Sequence, residues 1–378
     1  MDRLNMLITK ILSEVSDPSG TIRHSMDDGG RKAVGCMLEF CPEEIVYASG
    51  ALPVGLWNGS AAVTRAYEYF PAFYCAPILG SLELAMNGAY DGVLSAVLVP
   101  ILCDALKSAG QNWKTAVPGI PMIPFVYPQN SHLTGGVEFL VSEYGSVKAK
   151  LEEALDTEIT EEALERAIDV YNGYNAVMRR FVKCAAEHPE CITPEIRHAV
   201  FQDAFYNDKE DYSGTVAEIC DELDKLPVSE RSGRRVAVTG IMMDDQHTLS
   251  ELGKYGIAVT FDSLAQESGQ IRTDTPEGPD ALTRLALKWA NMENSSLVLD
   301  PEKGRIDELV GVVRRGEADG VIFSMVSFCD PEEYDYPLLL KRLMDEGIPC
   351  LYVEFNGREA AEQNATRIQA FAEILEKR

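Results

Sequence analysis

The sequence predicts an α/β protein made of two doubly wound parallel-sheet lobes joined by a helical connector. Two stretches alternate apolar runs with amphipathic segments, the rhythm of βα units. Between them lies a long stretch with helical periodicity alone. The expected boundaries are 1–146 for an N-terminal lobe with a short leading helix, 147–230 for the connector and 231–378 for the C-terminal lobe.

The elements follow in order. MDRLNMLITKILSEVSD is amphipathic and reads as the leading helix. From Lys32, KAVGCM is the first strand, followed by a helix in CPEEIVYASG. Pro42 suits the first helical position, Glu43 and Glu44 suit the positive first turn, and Gly50 suits the stop. ALPVGLW is a second apolar piece, and YDGVLSAVLVP is the β-branched run of a buried parallel strand, ended by Pro100. CDALKSAGQNWK is helical, and IPMIPFVYP completes the βαβ pattern. From about Val147 to Leu226 apolar residues recur every three or four positions, with Thr160 before Glu161 and Glu162 at a helix start, which predicts two to four helices. RRVAVTGI, IAVTFDSL, ADGVIFSMVSF and IPCLYVEF are the strands of the second lobe. SELGKYG, LTRLALKWA, IDELVGVVRRG, PLLLKRLMDEG and ATRIQAFAEILEKR are its helices. Both lobes are expected to be Rossmann- or flavodoxin-like.

Charge narrows the function. The 378 residues carry 34 Lys+Arg against 60 Asp+Glu, a net charge of −26. Such a surface repels phosphate backbones and anionic lipid heads, so no nucleic-acid or membrane role is expected. Local basic pairs (Arg179 and Arg180, Arg234 and Arg235, Arg314 and Arg315) leave room for a small anion. The window Val93–Leu102 is about half the ~20 residues that span a bilayer, and the N-terminus lacks signal-peptide grammar. A cytoplasmic protein is expected. Its nine cysteines are then thiols or ligands before disulfides, and none forms a CxxC pair.

In open α/β sheets ligands bind beyond the carboxyl ends of the strands. Cys103 and Cys329 each follow a strand and precede an aspartate (Asp104, Asp330) and a helix start. A helix N-terminus is expected to lower a thiol pKa and favour thiolate ligation. Cys75 lies in the aromatic, proline-rich segment YFPAFYCAP. Buried cysteines are often inert packing, yet two strand-end cysteines facing one cleft suit a soft metal or an iron–sulfur cluster. The remaining cysteines weigh less: Cys350 in a strand and Cys184, Cys191 and Cys220 among helices read as structural, while Cys36, packed in its strand, and Cys41, a cap before Pro42, could approach a cluster but rank below the three. Neither GxGxxG, a P-loop, GxSxG nor HExxH is present. Among five scattered histidines only His132 follows a strand. Glu43 and Glu44 are accounted for by the helix dipole, while Asp262, Gln266 and Glu267 are expected to line the cleft.

RKAVGCMLEFCPEEIVYASGALPVGLW, YFPAFYCAP, VPILCDALKSAGQNWK, IRTDTPEGPDAL and FCDPEEYDYPLLLK resemble the 2-hydroxyacyl-CoA dehydratase and benzoyl-CoA reductase family from about residue 27 to the C-terminus. Within it the chain is similar to the smaller, beta subunits of dehydratases acting on (R)-2-hydroxyisocaproyl-, phenyllactoyl- or lactoyl-CoA. The resemblance implies a 4Fe–4S cluster in the interlobe cleft, held by three cysteines that map onto Cys75, Cys103 and Cys329, with the fourth ligand open. It implies elimination of water from a 2-hydroxyacyl-CoA to the (E)-2-enoyl-CoA. One injected electron makes a ketyl radical anion that expels the α-hydroxyl, and the electron is finally returned. The implied partners are a larger alpha subunit, on which the substrate docks, and a transient ATP-dependent iron–sulfur activator. This subunit then stores or relays the electron in an anaerobic cytoplasm, and no residue here is assigned as the proton base.

Two alternatives stand beside that reading. One is a subunit of an acyl-CoA reductase of the benzoyl-CoA or double-cubane type. The other is a two-lobe hinged binding protein whose cysteines are packing. A bound flavin is an accessory reading that no motif requires.

Overall fold

The computed structural model describes residues 2–27, 30–59, 61–130, 133–229, 234–355 and 361–377. Helices α1 (Asp2–Ser16) and α2 (Pro18–Asp27) lead into β1 (Ala33–Met37), α3 (Glu43–Ala48), β2 (Leu52–Leu56), α4 (Ala76–Met86), β3 (Leu94–Ile101), α5 (Asp104–Ala116) and β4 (Met122–Val126). Four helices follow: α6 (Gly136–Leu155), α7 (Glu161–Glu187), α8 (Pro194–Asp203) and α9 (Lys209–Leu223). The second half runs β5 (Arg234–Gly240), α10 (Gln246–Lys254), β6 (Ile257–Leu264), α11 (Ser268–Ile271), α12 (Ala281–Ala290), α13 (Gly304–Arg314), β7 (Gly320–Val326), α14 (Asp330–Asp345), β8 (Cys350–Phe355) and α15 (Ala361–Glu376).

The strands form two parallel four-stranded sheets, in the orders β2-β1-β3-β4 and β6-β5-β7-β8. In the first, Gly35 pairs with Val54 on one side and Val97 on the other; in the second, Val238 pairs with Asp262 and Ile322. Each sheet therefore reverses its direction of growth once, between β1 and β3 and between β5 and β7. A crevice opens beyond the strand ends at such a reversal.

Apolar runs fill both faces. β1, β2 and β7 are buried at every position, the pattern of parallel strands covered on both sides. In the second sheet Val236, Val238 and Ile322 join the core under α10 and α15, while Ala237, Val321 and Phe323 join the one under α13 and α14. A third core gathers α1, α7, α8 and α9. Thr160 caps α7 as its sequence suggests, its Oγ1 accepting from Ala163 N at 3.2 Å. Pro42, not Cys41, is the residue at the N-cap of α3. Helix α12 follows β6 in the chain but packs in the core of the first sheet, where Trp289 stacks on Tyr127 with ring centroids 4.0 Å apart. No helix among the described residues is long and apolar enough to cross a membrane.

Candidate functional site: three helix N-caps around one cavity

Cys75, Cys103 and Cys329 each occupy the N-cap of a helix: α4, α5 and α14. The reason is local. Pro77 lies in the first turn of α4 and Pro331 in that of α14, where a missing N–H costs nothing, and Asp104 or Asp330 opens α5 or α14 with a charge that suits the dipole. All three are free thiols, and all three line one cavity of about 530 Å³. Its other walls include Leu38 and Glu39 beyond β1, Ile241 beyond β5, and Val326 and Phe328 at the end of β7. The cavity thus sits at the reversal points of both sheets. Three of its residues or their neighbours carry left-handed backbone at non-glycine positions: Leu38 (φ 57°), Phe40 (φ 57°) and Phe328 (φ 66°). Such backbone costs on the order of 1 kcal/mol or more each and persists where surroundings impose it.

The thiols are not acidified. Burial pushes Cys75 up to about 12, with Cys103 adding to it, and Cys103 up to about 11. Burial and then the Glu332 carboxylate hold Cys329 well above the ordinary thiol value. Backbone N–H groups of Ile78, Leu106, Ala105 and Glu332 do act on these sulfurs in the lowering direction. The helix-terminus effect expected from sequence is present but loses to desolvation. Glu39, 4% exposed, is likewise pushed up to about 7 by burial, with Glu332 adding repulsion. Glu332 is itself neutralised by Arg305, which donates to its carboxylate at 2.6 and 2.9 Å.

Among the described residues no group of three or more His, Cys, Asp or Glu side chains could hold a metal ion. One ion would need its sulfurs within about 2.3 Å of a common point. A cluster instead takes each thiolate on a different iron, and three unpaired thiols spread around a cavity match that donor set. The donor type of the three residues, soft sulfur, suits an iron–sulfur cluster.

The other candidates fall elsewhere. A larger cavity, about 830 Å³, lies across the turn at Phe40 and is walled by aromatic side chains including Tyr127, Tyr171, Tyr174 and Trp289. Its ionisable groups are paired: Glu43 with Lys209 and the Tyr171 hydroxyl, Glu44 with Lys288. Its single thiol, Cys41, lies against the carbonyls of Met37 and Leu98, so size alone does not make this cavity the reactive one. Of the expected cleft residues, Gln266 and Glu267 line this second cavity and Asp262 lines neither. Asp262 and Glu267 instead clamp the buried Arg197 guanidinium from α8, and Glu267 also meets His198 at 2.9 Å. Cys36, Cys184 and Cys220 are buried. Five of the six arginines in the basic pairs, Arg179, Arg180, Arg234, Arg314 and Arg315, face carboxylates. His132 lies outside the described residues. Glu39 and the Arg305–Glu332 pair were not singled out by sequence. Only Glu39 carried a signal, as a lone acid directly beyond the first strand.

Two parallel sheets whose reversal points deliver cysteines to a shared cavity define a class of two-lobed α/β proteins with a thiol site between sheets. Residues 39–375 match the family model described as 2-hydroxyglutaryl-CoA dehydratase, D-component, and the chain belongs to that family. It is 41% identical to the (R)-phenyllactyl-CoA dehydratase beta subunit of Clostridium sporogenes, over 96% of each chain. It is 40% identical to the lactoyl-CoA dehydratase subunit beta of Anaerotignum propionicum, over 97% of this chain and 99% of that one. With the (R)-2-hydroxyglutaryl-CoA dehydratase subunit beta of Acidaminococcus fermentans it shares 35% identity over 98% of this chain and 100% of that one.

Proposed function

We propose that the chain is the iron–sulfur beta subunit of a two-subunit (R)-2-hydroxyacyl-CoA dehydratase, a hydro-lyase, with Cys75, Cys103 and Cys329 holding a 4Fe–4S cluster that stores or relays an electron. The observation that carries the reading is the arrival of three unpaired thiols, from three helix N-caps and both sheets, at one cavity. Family membership and the beta-subunit relatives support the reaction class. When bound, the cluster supplies low-potential one-electron chemistry.

The chain's own residues prepare the site. Burial makes free thiolates costly here, so the sulfurs take their charged form together with iron, which inverts the local pKa logic. First-turn N–H groups then steady the charge on sulfur. Leu38, Ile241, Leu297 and Val326 give the cavity apolar walls that keep its dielectric low. Arg305 pairs with Glu332, the carboxylate that acts most on Cys329, and compensates its charge. The substrate sits chiefly on a larger alpha subunit, and an ATP-dependent iron–sulfur activator delivers the electron in an anaerobic cytoplasm.

The test is anaerobic purification of the chain with its partner subunit, followed by iron and acid-labile sulfide analysis and a visible spectrum. A brown complex that loses one subunit's share of iron in Cys75→Ala, Cys103→Ala or Cys329→Ala is expected. A colourless, iron-free chain after anaerobic reconstitution overturns the proposal.

A further inference from the structure

Three cysteines leave one corner of a four-iron cluster without a protein ligand, and the cavity contains a side chain placed to meet it. Glu39 lines the thiol cavity beyond the end of β1 and is 4% exposed. It shares that cavity with Cys75, Cys103 and Cys329, and its charge acts on all three thiols in the raising direction. Apart from its own backbone N–H, no donor among the described residues acts on its carboxylate. The other buried acid nearby, Glu332, is held by Arg305 and the Ser296 hydroxyl. Asp104 and Asp330, which also line the cavity, start helices α5 and α14 and stabilise them there. Glu39 is thus a buried carboxyl without a counter-charge, and a group of that kind holds its proton until a cation or a metal takes its place.

Its backbone setting points the same way. Leu38 and Phe40, on either side of it, both adopt left-handed conformations that branched and bulky residues avoid. No glycine relaxes the turn. Two left-handed residues flank Glu39, which lines the thiol cavity while Phe40 lines the larger cavity on the other side.

We infer that Glu39 is the fourth protein ligand of the cluster, binding the iron that no cysteine reaches through a carboxylate oxygen. The inference rests on the proposed function. Ligation releases the carboxyl proton to solvent and changes no oxidation state. A site closed by four protein ligands suits a centre that passes electrons without taking up substrate, because an open corner is what substrate binding needs. An oxygen ligand among three thiolates would also set this iron apart from the other three.

The experiment uses the anaerobically purified two-subunit complex carrying glutamate with a magnetic carbon isotope in the side-chain carboxyl. The reduced complex is examined by ENDOR, with the Cys329→Ala complex as the blank for the partner's signals. A strong carbon coupling that vanishes in Glu39→Gln, while cyanide binds the cluster in Glu39→Gln and not in the unchanged chain, is the expected result. Four irons on this chain with no carbon coupling, or equal cyanide binding in both forms, overturns the inference and leaves the cluster standing. Absence of iron from the unchanged chain overturns the proposed function instead, so the two failures are distinct.

Discussion

Arg305→Met isolates the charge balance beside Cys329. Arg305 and Glu332 are 4% and 2% exposed, joined by two hydrogen bonds of 2.6 and 2.9 Å. Arg305 also donates twice to Thr239 Oγ1, at 2.7 and 3.1 Å. Removing one partner of a buried pair leaves the other charge uncompensated, at about 3–5 kcal/mol. The loss of donors to Thr239 adds about 1 kcal/mol. Ser296 Oγ, 2.6 Å from Glu332, softens the penalty, and Lys303, 2.6 Å from Asp335, lies nearby. The expected cost is therefore about 3–4 kcal/mol. Arg305→Met with Glu332→Leu should regain most of it, because packed apolar groups replace buried pairs with little loss. Urea unfolding of the cluster-free chain reads the stability. Alkylation of Cys329 provides a second reading, since the unbalanced Glu332 charge raises a thiol already raised by burial, and the single variant should react more slowly at fixed pH. A single variant within about 1 kcal/mol of the parent, or a double variant no better than the single, would refute the reasoning.

Three further outcomes follow from buried groups. In the cluster-free chain Glu39 is raised from 4.5 to about 7, so the folded state keeps a proton that the unfolded chain gives up. Stability is full below about 4.5 and falls as pH rises to about 7, by roughly 3 kcal/mol, and Glu39→Gln should flatten that part of the profile; parallel profiles would contradict it. Glu83 is 2% exposed and accepts from the N–H groups of Thr64, Arg65 and Ala66 at 3.0, 2.7 and 2.8 Å. Burial pushes its carboxyl up, but these bonds and those from the Thr64 hydroxyl and Asn87 outweigh burial and hold it at about 2. Its contribution is present above about 4.5 and lost as pH falls towards 2, and Glu83→Gln should speed hydrogen exchange at Thr64–Ala66 while leaving the second sheet unchanged. Gly240, at φ 144°, ends β5 where an added Cβ would lie 2.1 Å from the Ser324 carbonyl oxygen of β7. Gly240→Ala should cost about 2 kcal/mol or more and lower the soluble yield, whereas wild-type-like unfolding would show that the strands can part.

The order of the strands and of most helices was legible because its signals are local, whereas α2 and α4 were not read as helices. GVLSAVLVP and GVIFSMVSF declare buried strands within themselves, and a cysteine followed by aspartate and a helix start marks Cys103 and Cys329 without any knowledge of contacts. Cys75 was legible by its odd surroundings and by resemblance. What stayed hidden depends on distant residues. Helix α6 begins at Gly136, upstream of the Val147 where its periodicity becomes plain, because its first turns bury few side chains. Helix α12 reads as part of the second lobe, yet Trp289 finds Tyr127 in the first core, 162 residues earlier. Asp262 and Glu267 read as cleft residues until Arg197 claims both. The thiol pKa values illustrate the same limit. The helix N-terminus is visible in the sequence, but the burial that overrides it belongs to the assembled fold.

The three-cysteine site also orders events during synthesis. Cys75 and Cys103 belong to the half of the chain that is translated first, and 254 residues separate Cys75 from Cys329. At about 5–20 residues per second, roughly 13–50 s pass between the emergence of the first thiol and the last. Throughout that interval the first sheet can fold while its cavity lacks a wall and its donor set lacks a member. Under the proposed assignment the donor set is complete only after Cys329 has emerged, and a chain cut short before Cys329 presents two of the three thiols. A cluster held by all three thiols would mark a polypeptide complete through Cys329, across both sheets at once.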